Sequence, residues 1–311
     1  IGALLGTAGY AQTQRLLDDN GLAAESAYAV AIDGATVASG SPGEISNSGA
    51  VYARSCSLAE CTAPTRIAPV DLAPGDLYGS ALAMSGTTMA VAAPGQNPAS
   101  VYVYLFSSGN WVQQARLLAP DGDDSAGFGG ALALQGDRLL IGAPKAQAGR
   151  GAAYVYSRSG SVWSQEQRLG ADLPAAGDRF GHSVALSGNT ALIGAPGRAG
   201  VAPGSYALSA AYVYVRNLGS WGAQAILTAV GGNNGDSFGA AVSLDGDRAL
   251  IGAPLAAAGA GAVFVQQRVA DIWSQQAQLA AAGGLPGDRL GWSVALAGDF
   301  GSGAAIGAGP A

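Results

Sequence analysis

The chain has 311 residues, 49% of them hydrophobic and 12% charged, with a formal net charge of −6. That composition excludes a disordered chain, which would be poor in apolar residues and rich in charge; the lack of a basic stripe, with Lys145 the only lysine, excludes a nucleic-acid binder. No run of about 18 apolar residues is free of glycine and polar breaks, so no membrane-spanning helix is expected, and an acidic surface does not suit anionic membranes.

With 49 glycines among Val, Leu, Ile and Tyr, many short strands joined by tight turns are expected. The chain starts at Ile1 without a Met or a signal peptide, as a processed mature protein or an excised domain would. Residues 10–17, Tyr10-Ala11-Gln12-Thr13-Gln14-Arg15-Leu16-Leu17, match Trp111-Val112-Gln113-Gln114-Ala115-Arg116-Leu117-Leu118. A degenerate strand–turn–strand copy then runs from Ser26 to Pro42. Cys56 and Cys61 follow, best read as a local disulfide, with a reduced pair or a metal site as alternatives. A disulfide implies an oxidising compartment.

Fuller copies run from Tyr78 to Pro94, Phe128 to Pro144, Phe180 to Pro196 and Phe238 to Pro254, the aromatic always 16 residues before the proline. A sixth begins at Leu290 and ends near Pro310. The turn glycines Gly34, Gly86, Gly136, Gly188, Gly246 and Gly298 are separated by 52, 50, 52, 58 and 52 residues. A period near 50 suits a four-stranded propeller blade. Within it, a hairpin such as Ser183–Leu186 with Ala191–Ile193 is expected to lie deep in the blade, buried on both faces. An aromatic strand follows, such as Ala153-Tyr154-Val155-Tyr156, then a polar strand opened by Trp111, Trp163, Trp221 or Trp273 at the outer edge. Cys61 stands where the first blade lacks that tryptophan.

The expected fold is all-β: a six-bladed β-propeller in which the N-terminal outer strand pairs with the C-terminal inner strands, removing an open edge. The alternative is a fragment of a seven-bladed ring. A single domain over 1–311 would have blades at approximately 25–75, 76–122, 123–175, 176–233, 234–284, and 285–311 plus 1–24.

These motifs resemble FG-GAP repeats, the units of the propeller in integrin alpha subunits and in bacterial surface proteins, and the resemblance covers essentially the whole chain. Calcium-binding members carry a D-x-D-x-D-G loop between the FG and GAP elements. Here the connections, such as Asp33-Gly34-Ala35 and Asp245-Gly246-Asp247, lack three spaced carboxylates and read as tight turns, so no cofactor and no metal are expected there. The cluster Asp121-Gly122-Asp123-Asp124 reads as a solvated turn.

Asp76, Asp178, Asp236 and Asp288 recur two residues before the FG-type position. A recurring acid suggests chemistry, but the same place in four blades points to backbone capping. His182, the only histidine, and Trp292 hold matching places near the inner strands, where each could face a central channel. The resemblance further implies that the loops after GAP meet ligands. It points to Asn97, Lys145, Arg150, Arg198 and Tyr206, the last two in the longest loop. The function expected is a non-enzymatic, extracellular, cell-surface or periplasmic binding or adhesion module for a protein or glycan. The alternatives are a self-associating structural subunit of a surface or filamentous assembly and, behind that, a glycan-cleaving enzyme.

Overall fold

A computed structural model describes residues 28–57, 60–119, 127–172, 174–197, 209–233 and 235–306. Two compact units divide between Leu118 and Ala119. In the first, β1 (Ala29–Asp33), β2 (Thr36–Ser41), β3 (Ala50–Ser55) and β4 (Thr65–Ile67) form one antiparallel sheet. A second is made by β5 (Leu82–Ser85), β6 (Thr88–Ala93), β7 (Ser100–Ser107) and β8 (Asn110–Leu118).

The other unit repeats this order three times: β9 (Ala131–Gln135), β10 (Arg138–Ala143), β11 (Ala152–Ser159) and β12 (Val162–Leu169); β13 (Ser183–Ser187), β14 (Thr190–Ala195), β15 (Ala210–Asn217) and β16 (Ser220–Leu227); β17 (Ala241–Asp245), β18 (Arg248–Ala253), β19 (Ala262–Val269) and β20 (Ile272–Leu279). The pair β21 (Ser293–Ala297) and β22 (Phe300–Ala304) follows. The fold is all-β, in meander sheets of propeller type. The proposed closing strand, residues 10–17, lies outside the described residues.

Burial follows strand order. In β6, β10, β14 and β18 the second strand is sealed or nearly so, whereas β2 is half-buried and β22 exposed. The first strand is only half-buried along its whole length, as in β13. This corrects the expectation that both members of the inner hairpin are buried on both faces: the first strand has a neighbour in its sheet on one side only. Within each unit the hydrophobic core lies between successive sheets. Leu140, Ala153 and Val155 of one pack with Ala191, Ile193 and Tyr212 of the next.

This stacking explains the repeat signature. A Cβ on Gly142 would overlap the carbonyl oxygen of Gly181 in the next sheet and lie 3.0 Å from its carbon. Gly194 meets Gly239, and Gly252 meets Gly291, in the same way. The sheets therefore touch backbone to backbone, which only glycine permits. The aromatic before Gly129, Gly181 and Gly239 is buried and packs edge-on against the third strand of its own sheet: Phe128 against Tyr154 at 5.6 Å, Phe180 against Tyr212 at 5.2 Å and Phe238 against Phe264 at 5.2 Å.

Cys56 and Cys61 form a disulfide in the connection between β3 and β4. β4 has three residues where β12, β16 and β20 have eight, so the covalent link stands where strand pairing is shortest.

Candidate binding surface

The segments after the GAP strands, expected as loops, are more regular than that. In three sheets they are tight turns with one shared backbone: residues 44–47, 146–149 and 256–259. Two consecutive central residues adopt positive φ in each: Ile45 and Ser46 (46° and 57°), Gln147 and Ala148 (52° and 60°), Ala257 and Ala258 (50° and 56°). None is a glycine, and a β-branched residue such as Ile45 is strained there. The sequence carried no sign of this conformation. Each turn closes by a backbone hydrogen bond: Gly49 N–H to Glu44 O, Gly151 N–H to Ala146 O, and Gly261 N–H to Ala256 O, at 2.9–3.0 Å.

The next sheet's Asp-x-aromatic segment locks onto the turn. Arg179 N–H donates to Gly149 O at 2.9 Å and Phe180 N–H to Arg150 O at 3.1 Å. Arg289 and Leu290 bond Gly259 and Ala260 in the same way, as Leu77 and Tyr78 bond Asn47 and Ser48. Beneath these contacts the recurring acids cap backbone. Asp76, Asp178, Asp236 and Asp288 accept N–H groups from Ala73, Ala175, Asn233 and Leu285 at 2.7–2.8 Å.

Lys145 and Arg150 flank one of these turns, both exposed. Asn97 is exposed in the first unit, after the buried Gln96. Arg198, Tyr206 and the acidic cluster Asp121–Asp124 lie outside the described residues. Arg179 was missed as a candidate. It occupies the positive-φ place before the aromatic (φ 57°), shared with Leu77, Ser237 and Arg289, and is exposed. The signal available was the variety of residue types at that one repeat position.

His182 follows Arg179 in a turn, its N–H donating to Arg179 O at 3.0 Å. Its pKa lies below the ordinary histidine value, through desolvation first and the Arg179 charge second. The side chain is nonetheless exposed, so the neighbouring cation is the cause that bears on a ligand.

Two other polar assemblies are closed upon themselves. Gln96 donates to Asp76 and Tyr102, and Arg116 pairs with Asp71 at 2.8 Å and donates to the Gln96 oxygen. A groove of about 960 Å³ between β13–β16 and β17–β20 holds Arg268, which is bonded to Asp247, Thr190 and Gln224. At the opposite hairpins, Gln135 and Asp245 accept the turn N–H groups of Gly188 and Gly298 in the next sheet, both at 2.6 Å. These side chains tie sheet to sheet.

The FG-GAP repeat model matches residues 62–104, 111–156, 163–214, 221–266 and 273–311. The chain belongs to the FG-GAP repeat family. Four of the five matched repeats open at Trp111, Trp163, Trp221 and Trp273. The family's sequence unit therefore runs from the outer strand of one sheet into the next sheet, out of phase with the sheets themselves. No curated protein matches this FG-GAP chain. Among solved structures it is similar to a Bacteroides uniformis protein whose name proposes 6-phosphogluconolactonase activity. The identity is 11%, with a TM-score of 0.57 over 82% of this chain and 72% of that one, a likeness of fold alone.

Proposed function

We propose that this FG-GAP chain is a non-enzymatic, extracytoplasmic binding or adhesion module acting through its post-GAP turns. One observation carries the reading: three turns share a backbone while their flanking residues differ. Those residues are Gly43 and Ser48, Lys145 and Arg150, and Leu255 and Ala260. A rigid support with interchangeable side chains is what recognition requires. The capping role of the four aspartates supports the non-enzymatic part, because the repeat's most suggestive acids serve its own backbone. The disulfide supports an oxidising compartment. Among the described residues, no helix is long and apolar enough to cross a membrane.

The test is an array of glycans and surface proteins probed with the wild type and with a turn exchange that gives 145–150 the residues of 255–260 (Lys145→Leu, Gln147→Ala, Arg150→Ala). Selective binding lost on exchange supports the reading; a blank array, or binding indifferent to the exchange, refutes it. A structural-subunit reading draws on Val162, Val269 and Ile272, 64–71% exposed on outer hairpins. Filaments by electron microscopy, or a large assembly by light scattering, would favour it.

A further inference from the structure

Seven of the described arginines sit in ion pairs. Arg66 pairs with Glu44, Arg116 with Asp71, Arg138 and Arg216 with Glu166, Arg158 with Asp137, Arg248 with Asp299 and Arg268 with Asp247. Arg168 lies over Tyr154, and Arg289 over Trp292. Among the described residues Arg54, Lys145, Arg150 and Arg179 are in none of these ion pairs or ring contacts, and the last three are neighbours. Lys145 O accepts from Gly149, Gly149 O accepts from Arg179, and Arg150 O accepts from Phe180, all at 2.9–3.1 Å. Three cationic residues thus flank one junction of a chain whose net charge is −6, the Lys145 stem beside Gly127 and the Arg179 stem beside Gly197.

The fold does not require them. The same three places hold Gly43, Ser48 and Leu77 at one equivalent junction and Leu255, Ala260 and Arg289 at another, on the same backbone. Among the described residues, the acids nearby do not neutralise the cluster by contact. Asp178 is 2% exposed and spends one carboxylate oxygen on Ala175 N–H, and the exposed Asp172 faces Tyr214. Like charge without a counter-ion among the described residues, which the scaffold can dispense with, suits an anion-binding surface.

We propose that Lys145, Arg150 and Arg179 form a binding site for an acidic polysaccharide, gripping its sulfate or carboxylate groups; this rests on the binding-module reading and names its ligand class. Guanidinium forks match planar or tetrahedral oxyanions with paired hydrogen bonds. Among the described residues beside them, Gln147, Ala148, Ala176 and Gly177 are small or polar and exposed, with no aromatic anchor of the kind peptide partners bury. Nucleic acid, with its dense phosphate charge, would be repelled by the acidic remainder of the chain.

The experiment titrates the wild type with dextran sulfate, polygalacturonate, neutral dextran and poly-glutamate at low and at 0.5 M salt, by calorimetry. The double variant Arg150→Ala/Arg179→Ser takes residues that sister repeats already hold at those places, so it keeps the fold. The expected result is salt-sensitive binding of an acidic polysaccharide, absent for neutral dextran and weakened about tenfold or more in the double variant. His182, as the sole histidine, reports the location: its NMR titration should shift upward when the polyanion binds beside Arg179. Sulfated and carboxylated arms separate the two headgroup chemistries. Poly-glutamate binding as tightly as either polysaccharide, or an unaffected double variant, overturns the proposal. Failure of both acidic polysaccharides beside a selective, exchange-sensitive hit on the array would overturn this inference and leave the binding-module reading standing.

Discussion

Two glycines of one sheet separate the physical roles of glycine in this repeat. Gly136 turns the β9–β10 hairpin at φ 56° with nothing within 4 Å of where a Cβ would stand. Gly142, six residues on in β10, needs no unusual φ, but an added Cβ would overlap Gly181 O. At Gly136, alanine pays only for the left-handed conformation, about 1 kcal/mol. At Gly142 the obstacle is backbone held in hydrogen bonds, since Gly181 N–H donates to Gly194 O at 3.1 Å. The two sheets would have to part by more than about 1 Å over a sealed core, placing the cost near 3 kcal/mol, the upper end of overpacking penalties. Urea unfolding followed by tryptophan fluorescence should therefore show Gly142→Ala lowering the midpoint about three times as far as Gly136→Ala. Gly136→Asn should recover most of the smaller loss, because Asn tolerates positive φ. A Gly142→Ala variant as stable as wild type, or a Gly136→Ala variant that is the worse of the two, would refute backbone contact as the reason for the GAP glycine.

Three further outcomes are expected. Replacing Cys56 and Cys61 with Ser should lower stability by about 2 kcal/mol, the chain-entropy value for so short a loop, with the thermal midpoint of the oxidised and reduced proteins as the measure. Asp178→Ala should cost about 1 kcal/mol in the same urea assay, as a lost backbone cap, without changing polysaccharide affinity; a selective loss of affinity would give that carboxylate a role in binding. Arg179→Ser should raise the His182 pKa in an NMR titration, since the guanidinium helps hold it down. With its folded value depressed, His182 favours the folded state above its unfolded pKa, and that contribution is lost as pH falls through the folded value.

Much of the binding surface was hidden in the sequence. Lys145 and Arg150 were legible because the repeat frame aligned them with the ligand-facing loops of related propellers. Arg179 was not, because it sits 29 residues from Arg150 and is brought beside it by its own hydrogen bond to Gly149 and that of Phe180 to Arg150. The left-handed turn at 146–149 was equally hidden: Gln147 and Ala148 are ordinary helix or strand residues, held at positive φ by the closing bond from Gly151 to Ala146 and by the docked Arg179 and Phe180.

Sequence alone determined the repeat, its four-strand content, the turn glycines, the aspartate caps and the cysteine pairing, because each arises from residues near one another along the chain or recurring at a constant spacing. Tertiary structure decided why FG and GAP are the conserved-looking words of the repeat, how the first strand of each sheet keeps half its surface open, and which three cations stand together. Those depend on what the next sheet brings to the surface of the last, and local sequence does not encode a neighbour some 50 residues away.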